Sequence, residues 1–226
     1  MSKLIWDKTG EKTYTAGVEQ VVLYVSDDNG AYNSGVPWNG ITAINESPSG
    51  GESNPIYANN KQYGDLRSAE KFSGTIEAYT YPDEFSDCDG SRGVVEGVYV
   101  SQQARKRFGL IAKTLIGNDI EGDSYGYKLL LVYNATAAPS SKDHATINDA
   151  PEAYTLSWEF DTIAENINTL VGGKKLRPSA KIEIDSTKVD ATKLAEFEDI
   201  IYGTDDTEAT FPSPDEVFAH FGTNLG

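Results

Sequence analysis

The stretch EFSDCDGSRG, residues 84–93, carries acids at a spacing that suits a cation. Asp87, Asp89 and Gly90 follow the D-x-D-G order of a calcium loop, and Glu96 falls where the closing carboxylate would stand. Such a loop needs oxygen ligands at alternate positions, a glycine for the sharp turn and a bidentate acid at its end. Here the first ligand is missing, because the residue two before Asp87 is Phe85. An EF-type loop also lies between two helices, whereas TIEAYTY just upstream alternates like a strand. The segment is therefore read as a turn: Pro82, Asp83 and Glu84 open a short helical stretch and Gly90 ends it.

Other residues capable of chemistry are scattered. His144 and His220 lie in no HxxxH or CxxC spacing, so no zinc site is indicated. Cys88 is the single cysteine, and nothing near it in sequence would activate the thiol. Paired carboxylates can always be found among 35 acids, so an acid-catalysed hydrolase is not singled out. Asn134-Ala135-Thr136 matches a glycosylation sequon that is silent without secretion. The glycines of GVPWNG and PSGG have no phosphate-loop spacing. The 13 tyrosines and three tryptophans could line a sugar-binding face, but Trp158 alternates with core residues. No metal, cofactor or catalytic constellation is expected.

These residues must be positioned by strands. VVLYVSD (21–27) is an apolar run closed by Asp28, Asn29 and Gly30, and ITAINE (41–46) is short and bounded by turns. KFSGTIEAYTY (71–81) sets Phe72, Ile76 and Ala78 opposite Ser73, Thr75, Glu77 and Tyr79. RFGLIAKTLIG (107–117) and YGYKLLLVYNA (125–135) form a hairpin across NDIEGDS. TLSWEFDTI (155–163) sets Leu156, Trp158 and Phe160 opposite Ser157, Glu159 and Asp161, and AKIEID (180–185) alternates about Ile182 and Ile184. Two helices are expected. One covers 190–203, with Asp190 as N-cap, Gly203 as stop and a Leu194, Phe197, Ile201 stripe; the other covers 213–222, with Ser213 as cap and Pro214 at N1. Residues 47–70 read as a long polar loop, too long to be idle inside one domain.

At 226 residues the chain can bury a substantial core as one domain, 1–226. Thirty-five acids against 19 Lys and Arg give a net charge of −16, which argues against a nucleic-acid clamp and suits a chain that stays soluble or repels a polyanion. Residues 186–226 form an acidic, partly helical C-terminal region. Counted from Asp185, ten acids and two lysines leave −8, half the total. One cysteine excludes an internal disulfide. The opening MSKLIWDKTGEK lacks a signal-peptide core, and nowhere do about 18 apolar residues run together. The expectation is a protein made and folded in a cytoplasm, without membrane contact.

Two segments, YANNKQYGDLRSAEKFSGTIEAYTYPDEFSDCDGS (57–91) and GYKLLLVYNATAAPSSKDHATINDAPEAYTLSWEFDTI (126–163), resemble the major tail tube proteins of long-tailed, siphovirus-type bacteriophages. GVPWNGITAINESPSGG (35–51) is similar to the matching N-terminal part of that family, so the resemblance covers most of residues 1–165. These motifs are diffuse, and their weight comes from occurring in the family's order. The resemblance implies an antiparallel β-sandwich or half-barrel with one flanking helix and a long extended loop. It also implies hexameric rings stacked into a hollow tube that conducts DNA. The implied partners are the chain itself, a tape-measure protein, and the tail tip and tail terminator proteins; the implied location is the virion tail, assembled in the host cytoplasm. DNA would pass through the lumen without specific binding.

On that basis Glu77, Glu159 and Asp161 are expected to face the lumen, because strand pleating points them away from the core. Ile56, Tyr57, Tyr63 and Arg67 are expected to make inter-ring contacts from the 47–70 loop. The competing expectation is a β-sandwich module that binds carbohydrate or protein, which explains the aromatics and leaves the acidity unexplained.

Overall fold

The computed structural model describes residues 4–142, 146 and 153–222; His144 lies outside them. The chain runs through β1 (Tyr14–Val25), β2 (Val36–Pro37) and β3 (Ile41–Glu46), then out and back through β4 (Ser53–Ala58) and β5 (Lys61–Arg67) to β6 (Ser73–Ala78). A 3-10 turn at Asp83–Phe85 leads into α1 (Ser86–Asp89) and a hairpin of β7 (Arg92–Val95) and β8 (Val98–Val100). Two long strands follow, β9 (Phe108–Asn118) and β10 (Gly122–Ala137), then β11 (Leu156–Thr162), β12 (Leu170–Val171), β13 (Lys174–Lys175) and β14 (Lys181–Asp185). The helices α2 (Ala191–Tyr202) and α3 (Pro214–Phe221) come last.

The fold is mainly β and antiparallel, the class expected from the alternating segments. Its main sheet has the order β2-β1-β9-β10-β11-β6-β3, with β14 also paired to β10. The runs VVLYV and LLLVY do not alternate because their strands are covered on both sides. Val21, Leu23 and Val25 enter one core with Phe108, Leu110, Val132, Trp158 and Phe160. Val22 and Tyr24 enter a second core with Ile111, Leu129, Leu131 and Tyr133.

Asn134 divides β10. It is a non-glycine residue at φ +49°, and the register against β9 shifts between Val132 and Ala135. An extra residue in a strand reverses which face its successors occupy. Tyr133 accordingly belongs to the second core and Ala135, two residues later, to the first. The pairing partner changes as well: Lys128–Val132 pairs with β14 and Ala135–Ala137 with β11. Asn134 is held there by its backbone N–H, which donates to the Tyr32 hydroxyl at 2.9 Å, and by its side-chain amide, which donates to Glu165.

The second core is closed by two helices rather than one. Asp190 caps α2 by accepting from the backbone of Thr192 and Lys193, each at 3.0 Å, and Leu194, Phe197 and Ile201 form its buried stripe. Ser213 and Glu216 form a reciprocal capping box on α3, with Pro214 at its start. The Tyr24 hydroxyl donates to the Ile201 carbonyl, and the Tyr133 hydroxyl donates to Pro212 O at 3.1 Å, tying the helices to the sheet.

Candidate functional site

Two surfaces are built by the β3–β6–β11 end of the sheet. The first is a polar face. Pairing of β6 with β11 sets Glu77 opposite Ser157, Thr75 opposite Glu159 and Ser73 opposite Asp161. The intervening Ile76, Ala78, Trp158 and Phe160 are buried in the first core. The three acids therefore share the face that looks away from that core, as the alternation predicts. Glu159 and Asp161 are exposed, and Glu77 is half-buried and accepts from Asn45 Nδ2 at 3.4 Å. Among the described residues none of the three is in an ion pair.

The second surface is the segment 47–70, read from sequence as a long polar loop, which the structure draws out into a paired arm. The β3–β6 pairing continues outward through Ser47 and Ser73, the bridge of Ser49 to Lys71, and the bond from Ser68 N to Glu52 O, into the β4–β5 hairpin. The arm turns at Asn59 and Asn60, both in the left-handed region (φ +50° and +62°), as a two-residue type I′ turn requires. Gly50 makes the base possible, since a Cβ there would collide with the Ala69 carbonyl oxygen. Tyr57, Tyr63 and Leu66 are 70, 78 and 62% exposed, and Ile56 is exposed beside them. Arg67 is exposed too, its Nε 3.5 Å from Asp65. Of the arm's apolar side chains, Leu66 was not singled out by the sequence.

A second exposed hairpin was missed. β7 and β8 present Val94, Val95, Val98, Tyr99 and Val100 to solvent. Its signal was present in GVVEGVYV, two β-branched runs about a Glu-Gly turn, with Gly97 at φ +77°.

The calcium-like stretch folds as the 3-10 turn and α1, ended by Gly90 at φ +86°. Its carboxylates meet lysines: Asp87 lies 3.0 Å from Lys106 Nζ, and Asp89 lies 3.2 Å from Lys142 Nζ. Asp89 also accepts from Ser91 N at 2.9 Å. Among the described residues no three His, Cys, Asp or Glu side chains converge as metal ligands. Cys88 is fully buried, and burial beside Asp87 pushes its thiol up to about 12. His220 Nε2 lies 2.6 Å from Lys193 O, between α3 and α2. Trp38 and Trp158 are buried together with ring centroids 5.7 Å apart, so neither offers a sugar platform.

A cleft of about 520 Å³ lies between the β9–β10 turn and α2, lined by Lys113, Tyr127, Ser186 and Glu198 among others. Lys113 Nζ sits 4.3 Å above the Tyr127 ring and 3.4 Å from Glu19, so its charge is already partnered. No helix among the described residues is long and apolar enough to cross a membrane. Comparison with models of known protein families gives no match, and comparison with curated proteins gives none either.

Proposed function

We propose that this chain is the repeating subunit of a hollow tube: the tail tube protein of a long-tailed bacteriophage, stacked as rings that conduct DNA. The observation that carries this reading is the β4–β5 arm. A two-stranded hairpin is marginal in water unless a third element covers it, and this one holds Ile56, Tyr57, Tyr63 and Leu66 out to solvent. Large apolar side chains held out to solvent on one projecting hairpin are what an interaction site presents. On a stacked ring the arm reaches the next ring and is covered there.

The acidic face gives the tube its transport property. Glu77, Glu159 and Asp161 repeat around a ring and along the stack, and a narrow bore with low-dielectric walls sums their potential. Phosphates are then repelled from the wall, and DNA slides without sticking. A tape-measure protein would fill the same bore during assembly, and tip and terminator proteins would close its ends. The reading assigns no catalysis to the chain and places it in the virion tail after assembly in a host cytoplasm.

A second reading has one observation in its favour: Tyr57, Tyr63 and Tyr99 are exposed on hairpins, as in a module that binds carbohydrate or protein. Electron microscopy of the purified chain separates the two. Tubes of uniform bore are expected, whereas a monomer that persists at high concentration refutes the tube. Deleting residues 50–66 with a short turn across the Ser49–Lys71 bridge should leave a folded monomer that does not polymerise; normal tubes from that variant would refute the role given to the arm.

A further inference from the structure

The C-terminal third is acidic, yet it contains one basic island. Between Glu165 and Glu183 there is no acid, while Lys174, Lys175, Arg177 and Lys181 all occur there. Lys181 is partnered by Glu46 at 2.5 Å and Glu183 at 3.6 Å. The other three are exposed on the β12–β13 hairpin and its return, and no described residue pairs with them ionically.

The hairpin is firmly planted. At its base the Asp215 carboxylate accepts from Asn168 N at 3.0 Å, Thr169 N at 2.8 Å and Thr169 Oγ1 at 2.7 Å. Glu165 and Ser179 exchange backbone bonds of 2.9 and 3.0 Å. Its turn is Gly172-Gly173, at φ +55° and +75°. Four ladder residues bury too little to hold a hairpin in place by themselves; this one is fixed from below and presents its cations outward.

An electrostatic counterpart lies on the other side of the same chain. Helix α2 ends without a basic residue in its last turn. Asp199 sits there, followed by exposed Asp205, Asp206 and Glu208 in the loop that leads to α3. Acids at a helix C-terminus meet the negative end of the helix dipole and are unfavourable until a cation arrives. None of the four is in an ion pair among the described residues. The loop has a fixed shape: Thr204 N donates to Thr207 O at 2.9 Å, and their hydroxyls meet at 2.9 Å.

The two patches cannot neutralise each other within one subunit. The helix-backed part of the sheet has the order β2-β1-β9-β10-β14. The acidic loop lies at the β2 edge, where Gly35 N donates to Ala209 O at 3.0 Å. The basic hairpin lies at the β14 edge, just beyond the Glu165–Ser179 bridge. Four strand spacings separate those edges, roughly 19 Å.

We propose that Lys174, Lys175 and Arg177 of one copy of this chain dock on the Asp205–Asp206–Glu208 loop of the next copy, side by side. The proposal rests on the assembly reading for its second copy and names the pair of patches that join neighbours. Different patches on the two sides of a subunit make a head-to-tail contact, which closes into rings when the rotation allows. Such contacts between exposed charges weaken with salt.

The test uses the full chain and two charge reversals, K174E/K175E/R177E and D205K/D206K/E208K, followed by sedimentation velocity with circular dichroism as the check on folding. Each reversed chain alone should need roughly tenfold more protein for half-assembly. An equimolar mixture should recover wild-type assembly, because each reversed patch then meets its complement. Should one reversal disturb folding, the glutamine versions of the same triplets, with half the charge change, serve for the single-variant arm, where each should also need more protein than wild type for half-assembly. Folded reversed chains that assemble like wild type, or a mixture that gains nothing, overturn the pairing. Retention of duplex DNA that depends on the hairpin, with assembly untouched, overturns it in favour of a polyanion. A wild-type chain that stays monomeric throughout refutes the assembly reading itself, and is told apart by that control alone.

Discussion

Replacing Glu77, Glu159 and Asp161 together by lysine inverts the acidic face without touching the core beneath it. Glu159 and Asp161 are alternate residues of β11, about 7 Å apart along the strand. Glu77 is paired with Ser157, which sets it diagonally from Glu159, also at about 7 Å. Two unit charges at that distance in water repel by about 0.6 kcal/mol, so the two near pairs destabilise the subunit by about 1.2 kcal/mol before salt screening. Three lysines restore the same like-charge pattern with the opposite sign. The substitution breaks the hydrogen bond from Asn45 to Glu77 and leaves the buried neighbours in place. Stability in urea should therefore change by less than about 1 kcal/mol. Three glutamines should stabilise by up to about 1 kcal/mol at low salt and by almost nothing at 1 M, where the Debye length is about 3 Å. Each lysine adds two charges, so the formal net charge of the subunit moves from −16 to −10. Tubes of the lysine variant, sedimented with labelled DNA in low salt, should retain it, while wild-type tubes should not. Lysine tubes that retain no more DNA than wild type would show that this face does not line the bore.

Calcium or EDTA should leave the melting temperature unchanged, because Asp87 and Asp89 are engaged by Lys106 and Lys142; a stabilisation above about 2 kcal/mol at millimolar calcium would mean a bound ion. Phe197→Ala, which empties the buried stripe of α2, should cost about 3–5 kcal/mol in urea unfolding, whereas Asp190→Ala, which removes only the cap, should cost about 1 kcal/mol. Lys128 at 2.7 Å, aided by Lys181, holds the Glu183 carboxyl below its usual range. A depressed folded value contributes stability above the unfolded value of about 4.3, and that contribution is lost as pH falls through the folded value. Glu183→Gln should thus be less stable than wild type near pH 7 and lose less on acidification; urea curves from pH 7 to 3 that stay parallel would contradict this.

The strands that read clearly from sequence are those with one wet face. In β6, β11 and β14 the period of two records both the core and the solvent, so the direction of Glu77, Glu159 and Asp161 was legible from Ile76, Trp158 and Phe160. Helix α2 was legible because Asp190, Gly203 and the Leu194–Phe197–Ile201 stripe agree with one another. The hairpins β4–β5, β7–β8 and β12–β13 were not, because both of their faces are largely exposed and burial imprints no pattern on them. What marks them is their turns, Asn59-Asn60, Glu96-Gly97 and Gly172-Gly173, joined in β7–β8 by the β-branched runs on either side. The partner change in β10 left even less trace. It depends on one asparagine in the left-handed region, anchored by Tyr32 and Glu165 from distant segments, and no local composition announces such anchors.

Because β1, β9 and β10 serve both cores, the order in which the ribosome delivers the chain acquires a meaning. The sheet face formed by Tyr24, Ile111, Leu129, Leu131 and Tyr133 is covered by α2 and α3. About 84 positions separate the end of β10 at Ala137 from the end of α3 at Phe221. At about 5–20 residues per second, roughly 4–17 s pass before the last helix is made. During that interval a nascent chain carries a broad apolar sheet that can stick to its neighbours on the same messenger. Completion of α3 acts as a clock: it retires that face and leaves the exposed side chains of the β4–β5 and β7–β8 hairpins, with Leu4, Ile5 and Trp6, as apolar surface on the folded chain.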